Sequence, residues 1–232
     1  MMQYKVITLD GPGGCGKSTI AFKIAQHLGY QCLNSGMLYR LIAFEQLKHT
    51  SYSARALIHL IQKASIEFKL DSKALQQCMI YNKQDITTQL HMPEVASMAS
   101  QLAQHPEIRA PLIELQQQFL NKTGLVAEGR DMGTCIFPQA TLKCYLTATP
   151  EIRALRRQKQ LIALGKRVNL GTLIESIVER DQRDESRSAA PMRPADDAFV
   201  IDTSKMTLDS VCSAVLEAFA IATAAGDSSS AD

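Results

Sequence analysis

Short apolar runs alternate along this chain with longer segments in which apolar residues recur every three or four positions. The runs VITL (6–9), QCL (31–33), LVA (125–127), LKCYLTA (142–148) and AFVID (198–202) have the length and composition of buried strands. The segments after the first and fourth, STIAFKIAQHLG and EIRALRRQKQLIALG, are amphipathic at helical period. Strands that alternate with helices need crossover connections, so the pattern predicts a parallel sheet flanked by helices on both faces. Proline marks the helix starts. Thr149-Pro150-Glu151 reads as an N-cap with proline at N1, and PEVASMASQLAQ and PEIRAPLIELQQQFL each open on proline.

The alternation breaks at about 62–92. There IEFKLDSKALQQCMIYNKQDIT carries β-favouring runs on either side of polar residues and no long helix, which predicts a small antiparallel insert. The small, polar end AAGDSSSAD predicts a disordered tail over 222–232, leaving 1–221 as one domain. Within VERDQRDESR, Arg180, Arg183, Asp184 and Arg187 stand at i, i+3, i+4 and i+7, one stripe of a helix. Alone, such a run means a solvated face laced with ion pairs.

Composition narrows the classes. The chain has 232 residues, 46% of them hydrophobic, enough for one sizeable core, and 25 basic residues nearly balance 23 acidic ones. A near-neutral balance argues against a nucleic-acid polymer as partner. No leader-like h-region and no run of about 18 apolar residues stand out, so a cytoplasmic protein without a membrane partner is expected. The six cysteines lack C-x-x-C spacing and the five histidines form no close pair, which fits a reduced compartment and disfavours a zinc site.

The chemistry enters at Gly11-Pro12-Gly13-Gly14-Cys15-Gly16-Lys17-Ser18, a full match to G-x-x-x-x-G-K-[ST] between a strand and an amphipathic helix. Successive N–H groups of such a loop turn inward around a phosphate, and the helix N-terminus adds positive potential. Lys17 would reach the β- and γ-phosphates, and the Ser18 hydroxyl would ligate Mg²⁺. Gly11, Gly13 and Gly16 also satisfy G-x-G-x-x-G, but the second strand ends in Asn34 rather than the acidic residue a dinucleotide fold needs. Asn82-Lys83-Gln84-Asp85 matches a guanine-reading loop, yet no D-x-x-G sensor stands between it and the phosphate loop; a polar turn inside the insert is the plainer reading. Cys15, beside a helix N-terminus, is either an acidified, reactive thiol or a small filler.

Two more segments point to anions. Asn34-Ser35-Gly36-Met37-Leu38-Tyr39-Arg40 leaves the second strand, and Glu128-Gly129-Arg130-Asp131-Met132-Gly133-Thr134 leaves the third, both at the carboxyl ends where open α/β sheets bind ligands. Together DGPGGCGKST, NSGMLYR, EGRDMGTCIFP, RDQRDESR and APMRPADDAFVIDTS resemble the bacterial cytidylate kinases, in order from about residue 4 to about 220.

The resemblance implies a P-loop nucleoside-monophosphate-kinase fold with a helical lid at about 153–170, acting as a monomer that transfers the γ-phosphoryl group of ATP, as Mg·ATP, to CMP or dCMP. It implies an ATP site from Gly11, Pro12, Gly13, Gly14, Cys15, Gly16, Lys17, Ser18, Thr19 and Arg157. Ser35, Tyr39, Arg40 and Arg130 would surround the CMP phosphate, Ser100, Arg109 and Asp131 would read the cytosine edge, and Asp184 and Arg187 would contact the ribose. Lys17, Arg130 and Arg180 are expected nearest the transferring group, with Arg157 and Arg183 behind them; Arg153, Arg156, Arg157 and Arg167 surround the lid. Two positions depart from the resemblance, which leads one to expect aspartate where Asn34 and Glu128 stand. A nucleotide sensor, or a kinase of another small metabolite such as shikimate, would share the phosphate loop but has no use for the Ser100, Arg109, Asp131 set.

Overall fold

The computed structural model describes residues 5–71, 76–163, 165 and 167–228. Strand β1 (Val6–Asp10) leads through the glycine loop into α1 (Lys17–Leu28), β2 (Gln31–Asn34) and α2 (Ser35–Lys48). Helix α3 (Ala54–Lys63) precedes a hairpin of β3 (Ile66–Asp71), β4 (Gln76–Tyr81) and β5 (Gln84–Asp85), and α4 (Thr87–Leu90), α5 (Pro93–Leu102) and α6 (Pro106–Gln117) follow. The chain then returns to β6 (Leu125–Glu128), β7 (Leu142–Thr147), α7 (Pro150–Ala163), α8 (Leu170–Glu185), β8 (Phe199–Asp202) and α9 (Leu208–Ser228).

Five strands form one parallel sheet in the order β2-β6-β1-β7-β8. Period-2 alternation divides its side chains between two cores. Ile7, Leu9, Val126, Cys144 and Leu146 pack under α1 (Ile20, Ile24) and α9 (Val211, Val215, Phe219). Val6, Leu33, Leu125 and Ala127 pack against α2, α3, α5 and α6 on the other face. Because β1, β2, β6 and β7 all point the same way, their carboxyl ends gather Asp10, Asn34, Glu128 and Thr147 on one rim, beside the glycine loop and the segment that follows β6.

The antiparallel piece spans 66–85, narrower than expected: α3 runs on to Lys63 and α4 begins at Thr87. Asn82 and Lys83, at φ 47° and 67°, make the two-residue turn between β4 and β5, so the N-K-x-D stretch is a hairpin turn. Gln77 of β4 donates its amide to the Cys32 carbonyl at 2.6 Å, fastening the insert to edge strand β2. Thr149 caps α7, its hydroxyl accepting from the Ile152 N–H at 3.4 Å.

Two expectations about the ends of the chain change. Helix α9 runs through Ser228, so the chain is helical past the expected boundary at 222, and 229–232 lie outside the described residues. The stretch 208–225, with a mean hydropathy of 1.5, is long and apolar enough to cross a membrane by length and composition, contrary to the reading that no such run exists. Its Val211, Cys212, Val215 and Phe219 stripe is nevertheless committed to the core over α1.

Candidate active site

The phosphate loop has little steric slack. Gly11, Gly14 and Gly16 have φ of 126°, 88° and 86°, values open to glycine, and a Cβ on Gly11 would lie 2.0 Å from the Leu146 carbonyl oxygen of β7. Lys17, buried at the start of α1, folds back so that Nζ donates to the Gly11 and Pro12 carbonyls at 2.7 Å each. Burial, with the positive charge of Arg130 nearby, brings its pKa down to about 8. Ser18 is exposed on the first turn and Thr19 is half-buried behind it.

Beside the loop, Ser35, Tyr39 and Arg40 of α2, Ser100 of α5, Arg109 of α6, Arg130 and Asp131 after β6, and Arg180, Asp184 and Arg187 at the end of α8 line one cleft of about 460 Å³ counted out to its mouth. Five arginines face two aspartates here, leaving a positive surplus suited to a phosphate. Asp184 is the hub: Arg130 Nε donates to it at 3.2 Å, Ser100 Oγ at 2.9 Å, and Arg187 through a short contact. Arg109 and Asp131 form a second buried pair, with the Arg109 guanidinium 6.0 Å from the Tyr39 ring centre. Tyr39 Oη and the Nε atoms of Arg180 and Arg187 are buried without a hydrogen-bond partner. Arg40 donates to the Leu90 carbonyl at 2.6 Å; burial, then Arg180 and Arg157, lowers its pKa to about 9.

A residue that sequence reasoning passed over sets the relation of cleft to loop. Asp10, the last residue of β1, accepts the N–H groups of Met132 and Gly133 at 2.8 Å each, so it ties the segment carrying Arg130 and Asp131 to the root of the phosphate loop. Burial raises its pKa to about 6 despite those two bonds. Behind it the backbone makes a wide turn over Met132–Ile136, closed by Ile136 N–H to Asp131 and Phe137 N–H to Met132. The D-G dipeptide at 10–11 was the available signal.

The two departures sit side by side, since Asn34 and Glu128 are register partners across β2 and β6. Asn34 caps α2, its Oδ1 accepting from Met37 N–H at 3.1 Å, while Nδ2 lies 3.5 Å from Ser18 Oγ. It therefore turns a donor, not an acceptor, toward Ser18. Glu128 is buried and its Oε1 has no hydrogen-bond partner, an oxygen left over for a metal-bound water or a cation. An exposed serine hydroxyl with an unpaired carboxylate oxygen on the same rim fits a Mg²⁺ that brings phosphate oxygens and waters of its own. No cluster of three or more histidine, cysteine, aspartate or glutamate side chains able to hold a metal by themselves occurs among the described residues.

Some arginines differ from expectation. Arg157 is engaged away from the phosphate loop, at the His91 carbonyl (3.4 Å) and Gln160 Oε1 (3.3 Å). Arg183 does not line the cleft. Arg153 and Arg156, read as lid residues, turn inward and reach the Gly13 and Gly14 carbonyls. Cys15 is 1% exposed and burial raises its thiol pKa, so it is the filler and not an acidified thiol.

Comparison with known proteins agrees over nearly the whole chain. A family model described as Cytidylate kinase matches residues 7–220. The cytidylate kinase of Ralstonia pickettii (strain 12J) is 42% identical over 218 residues, 93% of this chain and 92% of its own length. That of Pseudomonas aeruginosa (strain LESB58) is 40% identical over 213 residues, 91% of this chain and 93% of its own. Among solved structures, a gluconokinase from Sinorhizobium meliloti 1021 overlays with a TM-score of 0.48 at 13% identity, covering 93% of this chain and 91% of its own.

Proposed function

The chain belongs to the cytidylate kinase family and transfers the γ-phosphoryl group of ATP to CMP or dCMP, and we propose that the loop at 11–19 holds ATP while the arginine cleft holds the acceptor. The observation that carries this assignment is where the two meet. A Cβ on Gly13 would lie 3.4 Å from Arg130 Nη2 and 3.9 Å from Arg180 Nη1, so the loop and the cleft share a wall of guanidinium.

The chemistry asks for that arrangement. The attacking group is already an anionic phosphate oxygen, so the barrier lies in bringing two anions together and holding the charge of a loose transition state. Arg130 and Arg180 supply fixed positive charge at the junction, with Lys17 released from the Gly11 and Pro12 carbonyls to the incoming phosphates. Ser35, Tyr39 and Arg40 hold the acceptor phosphate. Asp184 and Arg187 hold the ribose, and Asp131, with Arg109 and Ser100, takes the cytosine edge. Cytosine offers an amino donor where uracil has a carbonyl, so a carboxylate at Asp131 selects the former. Ser18 and Glu128 would hold Mg²⁺, which neutralises phosphate charge when it arrives with ATP. The protein acts as a monomer in the cytoplasm on small nucleotides, with no membrane or nucleic-acid polymer as partner; the support is a cleft completed by this chain's own side chains, and a mass from light scattering tests the monomer. The stretch 153–170 serves as the lid; it consists of α7 from Arg153 onward and the connection that enters α8 at Leu170, and residues 164 and 166 lie outside the described residues.

The test is ADP release with Mg·ATP and a panel of CMP, dCMP, UMP, AMP, GMP and shikimate. Selective turnover of CMP and dCMP that collapses on Asp131→Asn supports the site. Equal turnover of UMP overturns the base-reading assignment.

A further inference from the structure

The peptides of the phosphate loop must face two ways at once. Their N–H groups can converge on an anion only if the carbonyls of the same peptides turn outward, and each outward carbonyl needs a donor. Lys17 serves Gly11 and Pro12. The Gly13 carbonyl is served from outside the loop by Arg153 Nη1 at 3.1 Å. Arg156 stands near the Gly14 carbonyl at 3.4 Å, but its shorter bonds, 2.6 and 3.1 Å, go to the carbonyl and hydroxyl of Thr203.

Arg153 is held on every side. Its side chain is 4% exposed, its Nε donates to the Ala148 carbonyl at 2.9 Å, and its Nη2 pairs with Asp181 at 2.6 Å. A Cβ on Gly14 would lie 2.9 Å from the Arg153 Cβ, so the stem packs on the loop as well. Neither Arg153 nor Asp181 lines the cleft. Asp181 belongs to α8, one position after Arg180 and three before Asp184, both of which do.

We propose that Arg153 and Asp181 are positioning residues that join the two nucleotide sites, fixing α8, and with it Arg180 and Asp184, to the Gly13 peptide of the phosphate loop. A ligand that orders either element then orders the other, and the two nucleotides bind with positive coupling. This rests on the assignment of loop and cleft above.

The experiment is calorimetric titration of CMP with and without a saturating, non-hydrolysable Mg·ATP analogue, for the parent, Asp181→Asn and Asp181→Glu. In the parent the analogue tightens CMP about fivefold or more, the usual lower range of such coupling. In Asp181→Asn the factor falls below about twofold while each nucleotide alone binds within about twofold of the parent, and Asp181→Glu recovers part of it. A parent without coupling overturns the proposal, as does an Asp181→Asn protein that keeps the full factor. So does one that weakens either nucleotide alone as much as both together, the behaviour of a merely structural residue. A Lys17→Ala control separates the premises: if it binds the analogue as the parent does, the donor-site assignment falls and the link with it. If it loses the analogue while Asp181→Asn keeps full coupling, only the link falls.

Discussion

Replacing Asp184 by asparagine removes one negative charge and one of two acceptor oxygens, both of them in use. The carboxylate is 1% exposed, pairs with Arg130 at 3.2 Å and closely with Arg187, stands 3.9 Å from Arg180 Nε, and accepts the Ser100 hydroxyl at 2.9 Å. Burial pushes its pKa up, and Arg130, Arg187 and Arg180 more than reverse that, leaving it below the usual carboxylate range. A carboxylate depressed in the folded state contributes stability above its unfolded pKa and loses it as pH falls through the folded one, so at pH 7 the whole contribution is present. Asparagine keeps the volume and an acceptor for Ser100, but it sets an amide donor where Oδ2 accepted Arg130, so the charge and one acceptor are lost together. Breaking a buried ion pair from one side costs about 3–5 kcal/mol, because the arginines stay buried without a counter-charge. In a chain of this size about 1 kcal/mol moves Tm by about 2–4 °C, so a fall of roughly 6–20 °C is expected by differential scanning calorimetry at pH 7. Inorganic phosphate can take the place of the lost carboxylate and should raise Tm more in the variant than in the parent. A fall below about 2 °C, or an equal gain from phosphate in both proteins, would refute the view that Asp184 neutralises the cleft.

Asp131→Asn should cut the preference for CMP over UMP, measured as a ratio of kcat/KM, by about 5–150-fold, the equivalent of one unpaired buried contact at about 1–3 kcal/mol. Lys17, held at about 8, loses its charge as pH passes that value; KM for ATP should rise above pH 8, and a Lys17→Met protein, much weaker throughout, should show no such limb. The same depressed pKa makes the free enzyme gain stability as pH climbs from about 8 toward the unfolded lysine value near 10.4, which pH-dependent thermal melts would detect. Asp10→Asn offers one acceptor to two N–H donors, so kcat/KM for CMP should fall about tenfold. Its Tm should move little, because relief of a carboxylate whose pKa burial has raised to about 6 offsets the lost bond; a large drop in Tm with unchanged turnover would contradict the positioning role.

What the sequence made readable was whatever is written locally. The five sheet strands end within a residue or two of the apolar runs; β1 and β6 are buried on both faces and have no exposed position to blur their limits. The phosphate loop was legible because its glycines and lysine are consecutive. The cleft was not: Ser100, Arg109, Asp131 and Asp184 come from four segments, and only resemblance to a family joined them. The helical stripe in 180–187 was half right. Arg180 and Asp184 face the cleft, but α8 stops at Glu185, Ser186 caps it, and Arg187 swings back past the helix end to meet Asp184. Periodicity could not foresee that stop, nor that Arg153 would turn toward the loop, because both depend on what lies across the fold.

The same cross-fold contacts explain how a protein with so many buried and half-buried arginines stays folded without its ligands. Most of the anion-seeking groups already have an internal partner: Lys17 has the Gly11 and Pro12 carbonyls, Arg40 has the Leu90 carbonyl, Arg130 and Arg187 have Asp184, and Arg109 has Asp131. Under the proposed assignment, nucleotide binding is an exchange, in which phosphate or base takes over donors from carbonyls and carboxylates, and its net affinity is the difference between two sets of charge-assisted bonds. An exchange of this kind discriminates by geometry. A ligand that reaches the donors but leaves Asp131 or Asp184 unpaired strands a buried carboxylate, a penalty larger than the contact it gains. Under that assignment, the internal partners that keep the empty site stable are also the groups that would make a wrong nucleotide unfavourable.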